Sequence, residues 1–287
     1  MNKILVTGAN GFIGKTLVSH LNNLGRNVVP LSSVDGNIAD RVTLAKFLKQ
    51  DIVHVYHLAA KTFVPDSWVN SQAFYQTNVI GTVNVLEFCR ASNIPLTYVS
   101  AYVYGHPDSL PIREDSAVRP SNPYAMTKWL AEQVCNFYAN TYDLPVTTLR
   151  LFNVYGIGQA ENFIIPLIIS QVLDGGKTII VKDLIPKRDY IYIEDVLAAL
   201  LATLNKQLGY NVYNVGSGTS LSVQEVINII QNVAGTEKKI ICDNVIRSNE
   251  LMDVVADISK AENIIGWKPK YSFQQGVEKI LSSNYKN

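Results

Sequence analysis

The chain has 287 residues, 47% of them hydrophobic, with 25 basic and 24 acidic side chains and a net charge of +1. That is apolar material enough for one large or two modest folded units. Charges of both signs are mixed along the chain, so no broad basic field for nucleic acid or an anionic membrane is expected, and an anionic ligand must be held by local groups.

The first apolar strand, residues 4–6, follows too few residues for a signal peptide, and the apolar run 163–169 is short and broken by Pro166. A cytoplasmic protein is therefore expected. The strand runs into Thr7-Gly8-Ala9-Asn10-Gly11-Phe12-Ile13-Gly14 and a helix reaching Leu24. Three glycines spaced three apart let the backbone turn tightly, approach a pyrophosphate and pack the helix on the strand, while the helix N-terminus offers N–H groups to the anion. The spacing matches only the second half of the usual Gly-x-Gly-x-x-Gly fingerprint. Gly14-Lys15-Thr16 also falls one glycine short of a triphosphate-binding loop. Bulky Phe12 and Ile13, and the lack of a later apolar strand ending in Asp for magnesium, argue against that reading.

Strands at 27–31 and 52–58, around a helix at 42–49, continue a βαβ pattern. A long helix at 72–91, a strand at 96–100, a proline-containing loop at 104–122, a helix at 124–142 and a strand at 146–152 complete a doubly wound, Rossmann-type α/β unit over residues 1–156. Beyond it, helices at 165–173, 195–204 and 223–233 and strands at 178–181, 190–193 and 213–215 suggest a smaller substrate-binding lid over 157–287. The boundary is soft, and segments such as 194–205 can return to the first unit. Ligands of such sheets sit at the carboxyl ends of the strands, so residues 8–14, 58–62 and Ser100 should share one crevice. Cys89, Cys135 and Cys242 are odd in number and far apart, which fits reduced thiols. His54 and His57 point to opposite faces of one strand, so no metal site is expected.

Tyr124 and Lys128 lie four apart, on one face of a helix that follows Pro123. Lowering a tyrosine from a pKa of about 10 to near 7 takes roughly 4 kcal/mol. An ammonium at about 4 Å, at an effective dielectric near 20, supplies about that much. Ser100, ending its strand, is placed to hold a substrate oxygen beside the phenol. Alone, Tyr-x-x-x-Lys describes many solvated helix faces; after a glycine turn and a strand-terminal serine it describes a proton-transfer site.

The chain resembles the extended short-chain dehydrogenase/reductases that act on nucleotide-linked sugars. The resemblance rests on residues 7–14, His57-Leu58-Ala59-Ala60, Asn78-Val79-x-Gly81-Thr82, Ser100-x-x-Val103-Tyr104-Gly105, Pro120-x-x-Pro123-Tyr124-x-x-x-Lys128, Arg150-x-Phe152-Asn153-x-Tyr155-Gly156, Arg188-Asp189-Tyr190-Ile191 and Gly266-Trp267-x-Pro269. It implies that Ser100, Tyr124 and Lys128 are catalytic, and that the cofactor is NAD or NADP. Gly8, Gly11, Phe12, Ile13 and Gly14 would line its pyrophosphate. Ser32, Ser33, Asn37 and Ile38 would lie near its adenosine, with Leu58, Ala59, Ala60, Lys61 and Asn78 along it. Asn153, Asn162, Phe163, Arg188 and Arg247 would hold a nucleotide-diphosphate sugar, two arginines suiting a diphosphate. A homodimer through helices 72–91 and 124–142 is also implied.

Three departures matter. Ser32-Ser33 stands where NAD-preferring relatives place a carboxylate, which permits NADP without excluding NAD. Ala101-Tyr102 replaces the Asp-Glu pair of sugar 4,6-dehydratases, which argues against dehydration. Residues 182–187 lack the glycines common in that substrate loop. The reading favoured is a 4-keto-6-deoxysugar 4-reductase, partly because Lys61-Thr62-x-Val64-x-Asp66-Ser67-Trp68 looks like reductases of GDP-linked sugars. The alternative is a 4-epimerase like the UDP-glucose enzyme, with a dinucleotide-sensing protein a remote third.

Overall fold

The computed structural model of the chain describes residues 2–204, 209–243 and 251–284. In chain order the first elements are β1 (Lys3–Thr7), α1 (Phe12–Asn23), β2 (Asn27–Leu31), α2 (Val42–Ala45), β3 (Ile52–His57), α3 (Val64–Val69), α4 (Ser71–Phe74) and α5 (Gly81–Ser92). Next come β4 (Leu96–Ala101), α6 (Pro123–Tyr142), β5 (Val146–Leu151), β6 (Asn153–Tyr155), α7 (Ile164–Leu173), β7 (Thr178–Val181), β8 (Lys187–Arg188) and β9 (Tyr190–Tyr192). The chain ends with α8 (Ile193–Ala202), β10 (Tyr210–Val215), β11 (Leu221–Ser222), α9 (Val223–Ala234), β12 (Lys239–Cys242), α10 (Ser259–Ile265) and α11 (Phe273–Asn284).

Six parallel strands make the main sheet, in the order β10-β5-β4-β3-β1-β2. Helices cover both its faces, which is why these strands read as near-continuous apolar runs instead of alternating ones. Alternate side chains divide between two cores. Leu5, Val55, Leu96, Tyr98 and Val146 pack with α5 and α6. Ile4, Val6, Tyr56, Val99 and Leu149 pack with α1, α8 and Trp267 beyond α10. His54 and His57 divide the same way. His54 pairs with Thr97 under α8, and His57 pairs with Thr82 on α5. Burial holds both imidazoles down to about 3, the Lys128 charge adding to the effect at His57.

A third core gathers Tyr155, Ile168, Ile179, Tyr192, Ile227 and Val277 from β6, α7, β7, β9, α9 and α11. Three short pairs tie this part together: β6 with β9, β7 with β12, and β8 with β11. The chain boundary at 156 is not a boundary in space. α8 returns to the main sheet, and β10 joins it as an edge strand beside β5. Among the described residues no helix is long and apolar enough to cross a membrane. Cys89 and Cys135 are buried free thiols, and Cys242 is a half-buried one.

Two helices differ from the sequence reading. The helix expected at 42–49 contracts to Val42–Ala45, and the chain continues through three-residue turns that seat Leu44 and Phe47 in the core. The run 72–91 is helical but not uniformly α: residues Tyr75–Ile80 form a π-helical turn between α4 and α5. That wide turn keeps Asn78 and Thr82 both buried, with the Thr82 hydroxyl donating to the Asn78 carbonyl at 2.6 Å.

Candidate active site

The glycine turn is steric necessity. Gly8 has φ +69°, and a Cβ there would lie 2.7 Å from the backbone nitrogen of Ala59; a Cβ on Gly14 would lie 2.1 Å from the Gly8 carbonyl oxygen. α1 starts after Gly11 with no side-chain cap and no acid in its first turn, so its N–H groups and the positive end of its dipole face outward for an anion. The cradle fits a dinucleotide pyrophosphate. Phe12 and Ile13 turn their side chains into the third core, leaving their backbone as what they can offer a ligand. Beneath, Thr7 Oγ1 accepts from the Ala59 N–H at 3.2 Å and meets His57 Nδ1 at 2.7 Å, which fixes the Leu58–Ala60 floor.

Asn78 has a different place from the one the resemblance implies. It is 1% exposed, and its amide accepts from the Lys61 N–H at 2.8 Å and donates to the Lys61 carbonyl at 3.0 Å and Thr127 Oγ1 at 2.9 Å. It clamps the floor to α6, with no donor left to reach a cofactor. Ile38 is likewise buried against Gly81, whereas Asn37 and Lys61 line an open cavity of about 380 Å³ at the start of α4.

At the tip of β2 the sequence reading found no carboxylate. The structure supplies one from three residues further on. Asp35 folds back so that one oxygen accepts from both the Ser32 N–H, at 2.9 Å, and the Ser32 hydroxyl, at 2.8 Å. Those hydrogen bonds hold its carboxyl below the ordinary range. Ser32 is nearly buried and Ser33 exposed. A Ser followed three residues later by an acid is the signal that reveals this turn.

Ser100 lies at the end of β4, 3% exposed, and its Oγ has no hydrogen-bond partner among the described residues. A buried hydroxyl left open in this way fits a substrate oxygen. Tyr124 stands in the first turn of α6, which Asn122 caps by accepting from the Ala125 N–H at 2.8 Å. Its ring meets Phe74 edge-on at 6.5 Å, and burial pushes its phenol up. Lys128, also 3% exposed, donates to the Val99 carbonyl at 2.6 Å and lies 4.4 Å above the Tyr98 ring. Burial draws Lys128 down to about 7, against the supporting charge of Glu132. The expected direct lowering of the Tyr124 pKa by Lys128 is thus not what the protein does by itself. Desolvation wins at the phenol, and the ammonium is engaged with β4.

One turn beyond Lys128, Glu132 is fully buried against Arg150 on β5 at 2.7 Å. Arg150 Nη1 also donates to Tyr104 Oη at 2.9 Å and to the Glu114 carbonyl at 3.1 Å. This network fixes α6 against β5 and the loop after β4.

On the opposite side, Asn153 is tied to the Asp189 carbonyl through its backbone N–H and its side chain, at 3.0 and 3.2 Å. Arg188 donates to the carbonyls of Lys187 and Leu251 at 2.8 and 2.6 Å. Asp189 turns away into the interior, where it accepts from the N–H groups of Ser217, Gly218 and Ala256. Asn162 is exposed, and Phe163 meets Phe63 edge-on at 6.4 Å. Arg247 lies outside the described residues. Nothing in the sequence pattern marks Tyr102 as a contact residue. It is half-buried, stacks edge-on with Tyr104 and Phe152, and donates its hydroxyl to the Gly105 carbonyl. Burial raises its phenol while the Arg188 charge acts against that.

Residues 4–216 match the family described as the NAD dependent epimerase/dehydratase family. The chain belongs to that family. It is 32% identical to a putative UDP-glucose 4-epimerase of Methanocaldococcus jannaschii, with 97% of each chain covered. It is 30% identical to the GDP-6-deoxy-D-mannose reductase of Pseudomonas aeruginosa, over 98% of this chain and 96% of that one. The structure of the Pseudomonas aeruginosa protein RMD complexed with NADPH superposes with a TM-score of 0.90 at 30% identity, covering 98% of both chains. The chain is accordingly an NAD(P)-dependent nucleotide-sugar enzyme on a Rossmann-type fold.

Proposed function

We propose that the chain reduces a nucleotide-linked 4-keto-6-deoxyhexose at C4. When bound in the glycine cradle, a nicotinamide dinucleotide supplies the hydride. Ser100 Oγ, open and buried at the end of β4, holds the C4 oxygen. Tyr124 donates the proton that this oxygen needs as hydride arrives, which suits a phenol kept protonated by burial. Lys128, in its protonated form, would set a positive charge beside the reacting centre, and Arg188 with Asn153 would hold the diphosphate and sugar.

The observation that carries this reading is Tyr102. It stands two residues after Ser100, with Ala101 between, where a dehydratase would place its acid pair. Its ring, packed on Tyr104 and Phe152, offers an apolar wall suited to a C6 methyl group. A second reading, a 4-epimerase, is favoured by Asp35. A carboxylate engaging both donors of Ser32 suits free ribose hydroxyls and repels a 2′-phosphate, and so favours NAD over NADPH.

The test is to assay the purified protein for acid-released nucleotide, then follow oxidation of NADH and NADPH with dTDP- and GDP-linked 4-keto-6-deoxyhexoses. Oxidation coupled to loss of the ketone supports the reductase. About one NAD per chain, with conversion of UDP-glucose to UDP-galactose and no net oxidation, refutes it in favour of the epimerase. We also propose a homodimer through α5 and α6. Leu130, Phe137 and Tyr142 are exposed along α6 at 37, 56 and 46%, a face that a second copy would cover. Sedimentation velocity tests it: a single monomeric species at micromolar concentration refutes the dimer.

A further inference from the structure

Tyr98 lies two residues before Ser100 on β4 and is 1% exposed. Its hydroxyl has no hydrogen-bond partner among the described residues, so it is not there for its polar end. The face of its ring is occupied instead: the Lys128 ammonium sits 4.4 Å from the centroid while donating to the neighbouring Val99 carbonyl. One β4 segment thus provides both a ring face and a carbonyl to a single buried cation. His57, neutral because it is buried, also tilts against this ring at 5.7 Å and brings no charge.

We propose that Tyr98 is a positioning residue for Lys128, its ring face and the Val99 carbonyl together forming the seat that supports the ammonium's charge against burial and aims it inside the protein. The chemistry is a cation against the negative face of an aromatic quadrupole, which gains strength where water is excluded. The other groups around the seat are few. Glu132, further along α6, supports the charge of Lys128; the buried Cys135 thiol and His57 on β3 are neutral. Tyr124, Glu132, Cys135 and Tyr210 act electrostatically on the Tyr98 phenol, whose ionisation is pushed far up by burial. Tyr98 therefore stays a neutral ring at every working pH. The role of Lys128 in the reaction rests on the function proposed above, but its seat does not.

The test reads Lys128 directly. Its side-chain Nζ resonance in ¹⁵N-lysine-labelled protein, assigned by its loss in Lys128→Arg, is titrated with no sugar or dinucleotide added. Tyr98→Phe keeps the ring and removes only an unpartnered hydroxyl, so the midpoint should stay where it is. Tyr98→Leu removes the ring, and the midpoint should fall by about one pH unit. Pentafluorophenylalanine at position 98 keeps the shape while reversing the ring's charge distribution, and should lower the midpoint at least as far. This variant preserves the test if Tyr98→Leu does not fold. An unchanged midpoint with the fluorinated ring, or a fall in Tyr98→Phe equal to that in Tyr98→Leu, overturns the proposal. Either result leaves the choice of sugar reaction untouched, because no substrate enters the measurement.

Discussion

Glu132→Leu should be among the most damaging single changes in the chain outside the glycine turn. The carboxylate is fully buried and accepts three N–H contacts from Arg150, at 3.2, 3.1 and 2.7 Å. Burial works against the Arg150 charge, and the hydrogen bonds and charge of Glu132 more than restore it. Without Glu132 the hydrogen-bond acceptors left to the guanidinium among the described residues are the Tyr104 hydroxyl and the Glu114 carbonyl, both neutral. Stranding a buried charge in this way costs about 3–5 kcal/mol. Arg150→Met strands the carboxylate instead and should cost a similar amount. The double variant leaves no ion behind. It loses about 1 kcal/mol for each acceptor that Arg150 had satisfied, or about 2 kcal/mol in all. With each single loss at least about 3 kcal/mol, the coupling between the two sites should therefore reach about 4 kcal/mol. Urea unfolding of the four proteins, followed by the fluorescence of Trp129, which lies 5.7 Å from the Arg150 guanidinium, gives the cycle. Additive losses, or a loss below about 1 kcal/mol for Glu132→Leu, would refute the reasoning.

Four further outcomes are expected. Gly14→Ala, whose new methyl would meet the Gly8 carbonyl at 2.1 Å, should weaken NAD(H) binding at least about tenfold by calorimetry, since backbone must move. Ser100→Ala removes an unpartnered buried hydroxyl, so the melting temperature should hold or rise while turnover falls about a hundredfold or more. Asp35→Ala frees both Ser32 donors and should shift the ratio of NADP to NAD affinity toward NADP, as read by competition binding. Acid should destabilise the fold through its histidines. His54 and His57 stay neutral down to about 3 when folded but take protons near 6.5 when unfolded, so the unfolded state binds more protons in that window. Stability should fall with decreasing pH there by up to about 1.4 kcal/mol per unit per histidine. Urea midpoints between pH 7 and 4 check this, and His57→Asn should flatten the slope.

The parts of the fold that depend on local pattern were legible in the sequence. The apolar strands and the glycine turn follow from side-chain periodicity and from backbone space, both of which a sequence displays. Ser100, Tyr124 and Lys128 stand out in the sequence because the end of β4 and the first two turns of α6 follow from the pattern. What escaped depends on contacts between distant segments. Asn78 carries polar groups suited to a cofactor, yet its partners Lys61 and Thr127 come from a loop and a helix 17 and 49 residues away. Asp35 escaped because the rule looks for an acid at the strand's end, and a turn can bring one back from beyond it. The Lys128 ammonium was expected to act on Tyr124 because spacing along a helix shows which side chains share a face. It does not show that a neighbouring strand offers one of them a ring and a carbonyl.

The edge position of β10 bears on how the chain is made. The β5 backbone finds its outer partner in a strand that emerges more than fifty residues later, after β6 to β9 and α7 have been synthesised. Until residue 215 has left the ribosome, the flank of β5 is bare, and it invites pairing with any passing extended segment. A nascent chain halted at Gly156 would present such an open flank, and so would a truncated recombinant product. Completion of the main sheet is thereby made to wait for the segment between β5 and β10, so that neither part reaches its finished form long before the other.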